Sequence, residues 1–135
     1  MTRYLLDTGI AQDFVNARNR VTEAVDRQRN LGNRIGICTP VLGELWSGVE
    51  GSATRDDNAR KLLVALSRLI LWPYDKAAAE RFGQLFTHLR RTGRAMQQID
   101  IQIAAIALSL GNTVVVSSDS DLAAVPGLVV ENWAA

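Results

Sequence analysis

The chain has 135 residues, which fits a single domain over residues 1–135, and 47% of them are hydrophobic while 21% are charged. This composition excludes a disordered chain, and the single cysteine, Cys38, excludes an internal disulfide. The net charge of +1 argues against bulk electrostatic binding of nucleic acid. Asp7 comes too early for the apolar core of a signal peptide, and no apolar stretch is long enough to span a bilayer. We therefore expect a cytoplasmic protein without membrane contact.

Short apolar runs alternate with longer stretches of helical period along the chain. In chain order, we predict a strand at 4–6 with a helix after it, a helix at 21–31, a strand at 35–38, a helix at 39–51, a helix after 54, an edge strand at 71–73, helices at 75–91 and 99–110, and strands at 113–116 and 128–130. This alternation is typical of stacked βαβ units. It predicts a three-layer α/β/α sandwich with a central, mainly parallel sheet.

Several local signals support these boundaries. Thr39-Pro40 predicts a helix with Thr39 as its N-cap and the proline in the first helical position. Thr54-x-x-Asp57 has the spacing of a capping box for the next helix. The β-branched run at 113–116 predicts a strand that is buried on both faces.

Four carboxylates stand where a carboxylate is costly. Asp7 ends the first strand and Asp119 follows the strand at 113–116, and ligands of open parallel sheets bind at such strand ends. Asp100 opens the most apolar helix, and Glu44 lies more than one turn inside its helix, where capping does not explain it. Carboxylates that share a crevice repel each other unless a cation joins them, and a hard divalent ion such as Mg²⁺ suits oxygen ligands.

Each of these acids also has a structural interpretation. The two acids that follow strands can cap helices, and the acid that opens the apolar helix is favoured there by the helix dipole. Glu44 can be a half-exposed helix acid. Ser118-x-x-Asp121 has capping-box spacing, so Asp121 either completes a helix start or supports a metal ion.

Taken together, the four acids and their surroundings resemble the PIN domain, and in particular the VapC-type toxin ribonucleases of bacterial toxin–antitoxin pairs. The resemblance covers nearly the whole chain. The stretches that carry it are Leu5-Leu6-Asp7-Thr8, Thr39 to Leu45, Gly48-Val49-Glu50, Pro73-Tyr74-Asp75, Asp100 to Ala107, Val116 to Leu122 and Val125 to Trp133. The chain departs from the family at Gly9, where Asn is usual, and at Gln97, where glycine is frequent.

The resemblance implies a metal-dependent endoribonuclease that is the toxin of a toxin–antitoxin pair. The catalytic residues would be four acids. Three of them would hold Mg²⁺ or Mn²⁺, namely Asp7, Asp100 and Asp119, and Glu44 would contact the metal directly or through water. Further residues predicted at the site are a weaker metal contact, Asp121, and two supporting hydroxyl groups, Thr8 and Ser118.

The resemblance also implies an RNA substrate, a cognate antitoxin protein as partner and a homodimer. Our candidates for contacts with the RNA backbone are three arginines just before Asp100, namely Arg90, Arg91 and Arg94. Trp46 can be a core residue or a dimer contact, and we favour the dimer contact, because a fully buried indole N–H needs a partner. The alternative hypothesis is a catalytically weak PIN-like module that binds RNA or assembles complexes, and Gly9 is the departure that keeps it open.

Overall fold

The protein is built around a five-stranded parallel sheet, as seen in a computed structural model that describes residues 1–134. The strands are β1 (Arg3–Leu6), β2 (Arg34–Cys38), β3 (Ile70–Trp72), β4 (Thr113–Val116) and β5 (Val129–Glu131). They lie in the order β3-β2-β1-β4-β5, and every neighbouring pair is parallel.

Helices connect the strands and flank the sheet. Within residues 1–134 they are α1 (Thr8–Val15), α2 (Val21–Asn30), α3 (Thr39–Glu50), α4 (Arg55–Leu66), α5 (Lys76–Arg91), α6 (Gln98–Leu110) and the short α7 (Ser120–Ala123). The predicted three-layer α/β/α class with a mainly parallel sheet is therefore confirmed. No helix among these is both long and apolar enough to cross a membrane.

The central strand, β1, marks the point where the order of strands reverses. From β1 the chain moves outward through β2 to β3 on one side, and then crosses back to β4 and β5 on the other. In such sheets the crevice beyond the carboxyl ends of the two diverging strands is the usual ligand site. Leu6 pairs with Val116 in the β1–β4 register, so these two strands end side by side.

The core surrounds β1 and α6. Leu5 and Leu6 of β1 are fully buried although they point to opposite faces of the sheet, because helices cover both faces. The buried positions of α6 are Ile101, Ile103, Ala104, Ala105, Ile106 and Ala107. The small alanines leave room for α5, which packs closely against this helix.

Two predicted helix caps are wrong. Thr39 is the first residue of α3 rather than its N-cap, and its hydroxyl oxygen accepts the backbone N–H of Tyr74 at 3.0 Å. Thr54 does precede α4, but its hydroxyl accepts the amide of Asn58 at 3.2 Å instead of capping the helix backbone. In both cases a nearby donor competes for the hydroxyl. Pro40 lies in the first turn of α3, as predicted.

One burial prediction also needs correction. Val115 and Val116 of β4 are buried, but Thr113 and Val114 are only half-buried, because the strand begins at the rim of the sheet. On α4, Leu63 is 55% exposed, since the helix buries only its opposite face. β3 lies at the sheet edge, as predicted from its following proline.

Candidate functional site

The carboxyl ends of β1 and β4 bring Asp7 and Asp119 to the same edge of the sheet. Asp7 follows Leu6 directly, and its backbone N–H donates to the carbonyl of Val116 at 3.0 Å, which continues the pairing of the two strands. Asp119 lies three residues beyond the end of β4. The sequence prediction that these two acids face one crevice required β1 and β4 to be neighbours in the sheet. The strand order shows that they are.

Asp7 is held rigidly, because both of its carboxylate oxygens accept hydrogen bonds. Oδ1 accepts the backbone N–H of Ile10 at 3.0 Å, so Asp7 is the N-cap of α1, and Oδ2 accepts the hydroxyl of Ser117. Only 9% of its surface is exposed. Burial raises the pKa of Asp7 above its ordinary value; the hydrogen bonds from Ser117 and Ile10 oppose this change, and the charge of Asp119 adds to it.

Ser117 links the two acids and was missed by the sequence analysis, which selected its neighbour Ser118. Its side chain is almost fully buried, donates to Asp7 and accepts the backbone N–H of Asp119 at 2.9 Å. Ser118 is exposed. The signal was present in the sequence, since Ser117 is the first polar residue after the buried end of a strand.

Asp119 and Asp121 begin the short helix α7. Asp119 is its N-cap, with Oδ1 accepting the backbone N–H of Asp121 at 2.9 Å. The alternative capping box from Ser118 is therefore not formed. Asp121 instead lies 3.6 Å from the guanidinium of Arg94, measured between Oδ1 and Nη2.

Asp100 lies in the first turn of α6 and is half-buried. Its pKa is raised from 3.8 to about 6, first by burial and then by the charges of four other carboxylates, those of Asp119, Asp7, Asp121 and Glu44. Burial and nearby like charges both disfavour the charged form of a carboxyl group, so the two causes add. The predicted acids thus form one negatively charged region around Asp100.

Glu44 stands on the exposed side of α3 and accepts a hydrogen bond from the hydroxyl of Thr8. This contact joins the start of α1 to α3. Gly9 follows Thr8, and a Cβ built at this position would stand 3.8 Å from Oδ1 of Asp7, an ordinary van der Waals distance. The first atom of a side chain therefore has room at this position beside Asp7.

The donor chemistry of this region fits a hard divalent cation. All of its candidate ligand atoms are oxygens, and the charges of the neighbouring carboxylates add to burial in raising the pKa of Asp100, an effect that a bound cation would offset. Cys38 is buried, and burial raises its pKa to about 11, so no thiolate competes. However, no group of three His, Cys, Asp or Glu side chains within residues 1–134 is arranged to hold an ion.

The three predicted RNA-binding arginines lie in different surroundings. Arg94 reaches the acidic region through Asp121. The guanidinium of Arg90 lies over the ring of Phe86 at 5.7 Å, and Arg91 is exposed at the end of α5. The structure thus brings one of the three arginines to the acids.

Comparison with known proteins identifies the family. The PIN domain profile matches residues 4–128, which is most of the chain. The chain belongs to the PIN-domain family. Among related proteins, ribonuclease VapC2 of Rickettsia felis is 32% identical over 96% of this chain and 97% of its own length. The tRNA(fMet)-specific endonuclease VapC of Shigella flexneri is 30% identical, over 98% of this chain and 99% of its own.

Solved structures place this PIN domain among VapC-type proteins. The DNA-bound VapBC2 complex of Rickettsia felis contains a chain that superposes with a TM-score of 0.91 and 28% identity, covering 98% of this chain and 99% of that one. A chain of the DNA-bound VapBC complex of Salmonella typhimurium gives a TM-score of 0.89 at 30% identity, covering 98% and 99%. The recognised family and the fold therefore agree.

Proposed function

We propose that this PIN-domain chain is a metal-dependent endoribonuclease and the toxin of a toxin–antitoxin pair. The observation that carries the proposal is the placement of Asp7 and Asp119 beyond the ends of the neighbouring strands β1 and β4, with Asp100 near enough for both charges to raise its pKa. The related VapC proteins named ribonuclease or endonuclease support RNA as the substrate.

In this proposal, Asp7, Asp100 and Asp119 hold Mg²⁺ or Mn²⁺, Glu44 contacts the metal directly or through water, and Asp121 contributes more weakly. A divalent cation bound there would offset the charge of the acids and of the scissile phosphate and would lower the pKa of a water molecule. The remaining work falls to the protein. Ser117 fixes the orientation of Asp7, and Thr8 fixes that of Glu44.

The comparison with solved structures also supports a protein partner. The solved VapBC complexes of Rickettsia felis and Salmonella typhimurium support the proposal that this chain has a cognate antitoxin. We further propose that the protein forms a homodimer and acts in the cytoplasm.

A second candidate function is a catalytically weak PIN-like module that binds RNA or assembles complexes. One observation favours it: the acids of residues 1–134 are not arranged to hold an ion without some adjustment. Gly9, in place of the usual asparagine, points the same way, because it removes a polar side chain from beside Asp7.

The decisive experiment compares RNA cleavage by the wild type, by Asp100→Asn and by Asp56→Asn. The last is a matched control, since Asp56 is also an acid in the first turn of a helix but is far more exposed. Purified, antitoxin-free protein is incubated with total RNA in Mg²⁺, Mn²⁺ or EDTA. We expect discrete cleavage that needs metal, a loss of about 100-fold or more in Asp100→Asn, and no loss in the control.

Thermal unfolding provides a readout that does not depend on activity. Ligands that bind the native state raise Tm with concentration, so Mn²⁺ should stabilise the wild type and the control but not Asp100→Asn. Folded wild-type protein that binds RNA but never cleaves it in either metal would favour the second candidate. Gly9→Asn would then be the first variant to test for recovered cleavage.

A further inference from the structure

Arg94 is the basic residue that contacts the acidic region. We define this region by its five carboxylates, those of Asp7, Glu44, Asp100, Asp119 and Asp121. Nη2 of Arg94 lies 3.6 Å from Oδ1 of Asp121. Among residues 1–134, none of the other four acids forms an ion pair. Arg94 is therefore the only counter-charge that this part of the chain places in contact with the region.

The backbone of Arg94 is fixed by the end of α5. Gly93 has a φ of 72°, in the left-handed region. The N–H of Gly93 donates to the carbonyl of Arg90 at 3.2 Å, and the N–H of Arg94 donates to the carbonyl of Leu89 at 2.9 Å. These two bonds around a left-handed glycine form a Schellman motif, a common ending of helices. The arginine is thus anchored at its backbone, and only its side chain is able to change partner.

Asp121 is anchored at its backbone on the other side of the pair. Its N–H donates to Oδ1 of Asp119 at 2.9 Å, and the next residue of α7, Leu122, is completely buried. Within residues 1–134, Arg94 is the only partner of the Asp121 carboxylate. The ion pair therefore determines where this carboxylate points.

A cation bound at Asp100 would gain from the carboxylate that Arg94 holds. Asp121 is near enough for its charge to contribute to the raised pKa of Asp100. As the acids stand, no three of them within the described residues are arranged to hold an ion. A hard divalent cation prefers oxygen ligands, so it would compete with the guanidinium of Arg94 for the oxygens of Asp121.

The ion pair is weak enough for such an exchange. Its two side chains are 46% and 49% exposed, and 3.6 Å is longer than a charged hydrogen bond. Exposed ion pairs of this kind change an equilibrium by about fivefold at most. A divalent cation can therefore replace the arginine, which a buried pair with close contacts would resist.

We propose that Arg94 is a positioning residue, an internal counter-ion that holds Asp121 in the metal-free protein and competes with a divalent cation for its carboxylate. This proposal rests on the proposed function, which assigns the cation to the acidic region. When the Asp121 carboxylate turns towards the cation, the side chain of Arg94 loses its partner and extends into solvent. The pair thus stabilises the metal-free protein and lowers its affinity for the cation.

The test compares the wild type with Arg94→Gln by thermal unfolding and by titration with MnCl₂, without RNA. In EDTA, Arg94→Gln should lower Tm by about 2 °C, because Asp121 loses its counter-charge. In saturating Mn²⁺ the difference should close, since the cation replaces the arginine in the wild type as well. By linkage, Arg94→Gln should bind Mn²⁺ about threefold more tightly than the wild type.

Three further variants show whether the effect belongs to this ion pair. Arg91→Gln is the matched control, because Arg91 is an exposed arginine at the end of α5 that forms no ion pair among residues 1–134; it should change neither Tm nor Mn²⁺ affinity. Arg94→Lys keeps the charge and should behave as the wild type. In an Asp121→Asn background, Arg94→Gln should cost no stability in EDTA, since the pair is already absent.

Three results would overturn the role of Arg94. An equal loss of Tm in EDTA and in Mn²⁺ would make the pair an ordinary surface ion pair. Weaker Mn²⁺ binding by Arg94→Gln would show that the arginine builds the site and does not compete for it. A stability cost that persists in the Asp121→Asn background would assign Arg94 to another partner.

Failure of this proposal is distinguishable from failure of the proposed function. Each of those three results leaves intact the Asp100-dependent Mn²⁺ binding and cleavage that test the nuclease. A folded wild type that binds no Mn²⁺ would overturn both proposals together.

Discussion

Asp7 combines two roles that the sequence presented as alternatives. Its Oδ1 caps α1 and its Oδ2 accepts the Ser117 hydroxyl, yet each carboxylate oxygen has two lone pairs. Capping therefore leaves room for a metal ion. The same holds for Asp119, which caps α7 through Oδ1. A structural explanation of an acid does not exclude a functional one.

Asp100 should make the stability of the metal-free protein depend on pH. Its pKa is about 6 in the folded state, against 3.8 for the ordinary side chain, so the folded state holds the proton more tightly. The stabilisation from this proton is complete below about pH 4 and is lost as the pH rises through about 6. In EDTA, Asp100→Asn should therefore equal the wild type at pH 4 and exceed it at pH 7.

We expect the gain at pH 7 to be about 1 kcal/mol, or about 3 °C in Tm, since solvent screens part of the repulsion at a half-exposed site. Thermal unfolding between pH 4 and pH 8 measures it. Asp56→Asn controls for the loss of a first-turn acid that favours the helix dipole, and should show no gain. An advantage of Asp100→Asn that is the same at every pH would contradict the prediction.

Ser117 should contribute more to stability than its neighbour. Ser117→Ala leaves an Asp7 oxygen and the N–H of Asp119 without a partner, one of them in a buried setting. The expected cost is about 1–3 kcal/mol. Ser118→Ala, at an exposed position, should cost less than about 0.5 kcal/mol. Urea unfolding of both variants measures the difference, and equal midpoints would refute the linking role of Ser117.

At the scale of elements, the edge strand β3 depends on a glycine in β2. Gly36 is paired with Ile70, and a Cβ at Gly36 would stand 2.2 Å from the carbonyl oxygen of Ile70 and 2.9 Å from the ring of Trp72. Atoms do not approach so closely, so any side chain would push β3 outward. The conformation of Gly36 is ordinary extended backbone; only the space is special.

Gly36→Ala should therefore be far more harmful than the same change in a helix. We expect a loss of about 3 kcal/mol or more, because backbone atoms of β3 must move. Gly43→Ala is the matched control: nothing lies within 4 Å of its Cβ position on α3, and alanine should stabilise the helix by about 0.5–1 kcal/mol. Denaturation midpoints that shift alike would show that β3 adapts freely.

The start of α3 shows how a tertiary contact can override the local sequence signal for a helix cap. Thr39 stands at the start of α3, but its hydroxyl accepts the backbone N–H of Tyr74. This contact joins the start of α3 to the segment between β3 and α5. A spacing rule within one helix cannot include a donor from another element.

At the scale of the whole molecule, the proposed homodimer has a testable contact in Trp46. Its side chain is half-buried on α3, so part of the indole remains open to a second copy of the chain. Trp46→Glu should give monomers in sedimentation velocity experiments at a concentration where the wild type is a dimer. Leu31→Glu, which is 70% exposed on another surface, should stay dimeric. A dimer of normal stability in Trp46→Glu would remove this residue from the interface.

Much of this protein was readable from the order of its residues. Alternating strands and helices predicted the three-layer class, because each period of hydrophobic residues reports the kind of element that can bury them. The four acids and the stretches around them predicted the family, which the PIN domain match confirms. Such signals survive in a linear sequence because each depends on neighbours along the chain.

Only the tertiary structure decided which groups meet across the chain. That Ser117 rather than Ser118 contacts Asp7 depends on the pairing of β1 with β4, more than one hundred residues apart in sequence. The clash that forbids a side chain at Gly36 depends equally on packed neighbours. Burial and electrostatics act through space, so the pKa of Asp100 is a property of the folded chain and not of its sequence neighbours.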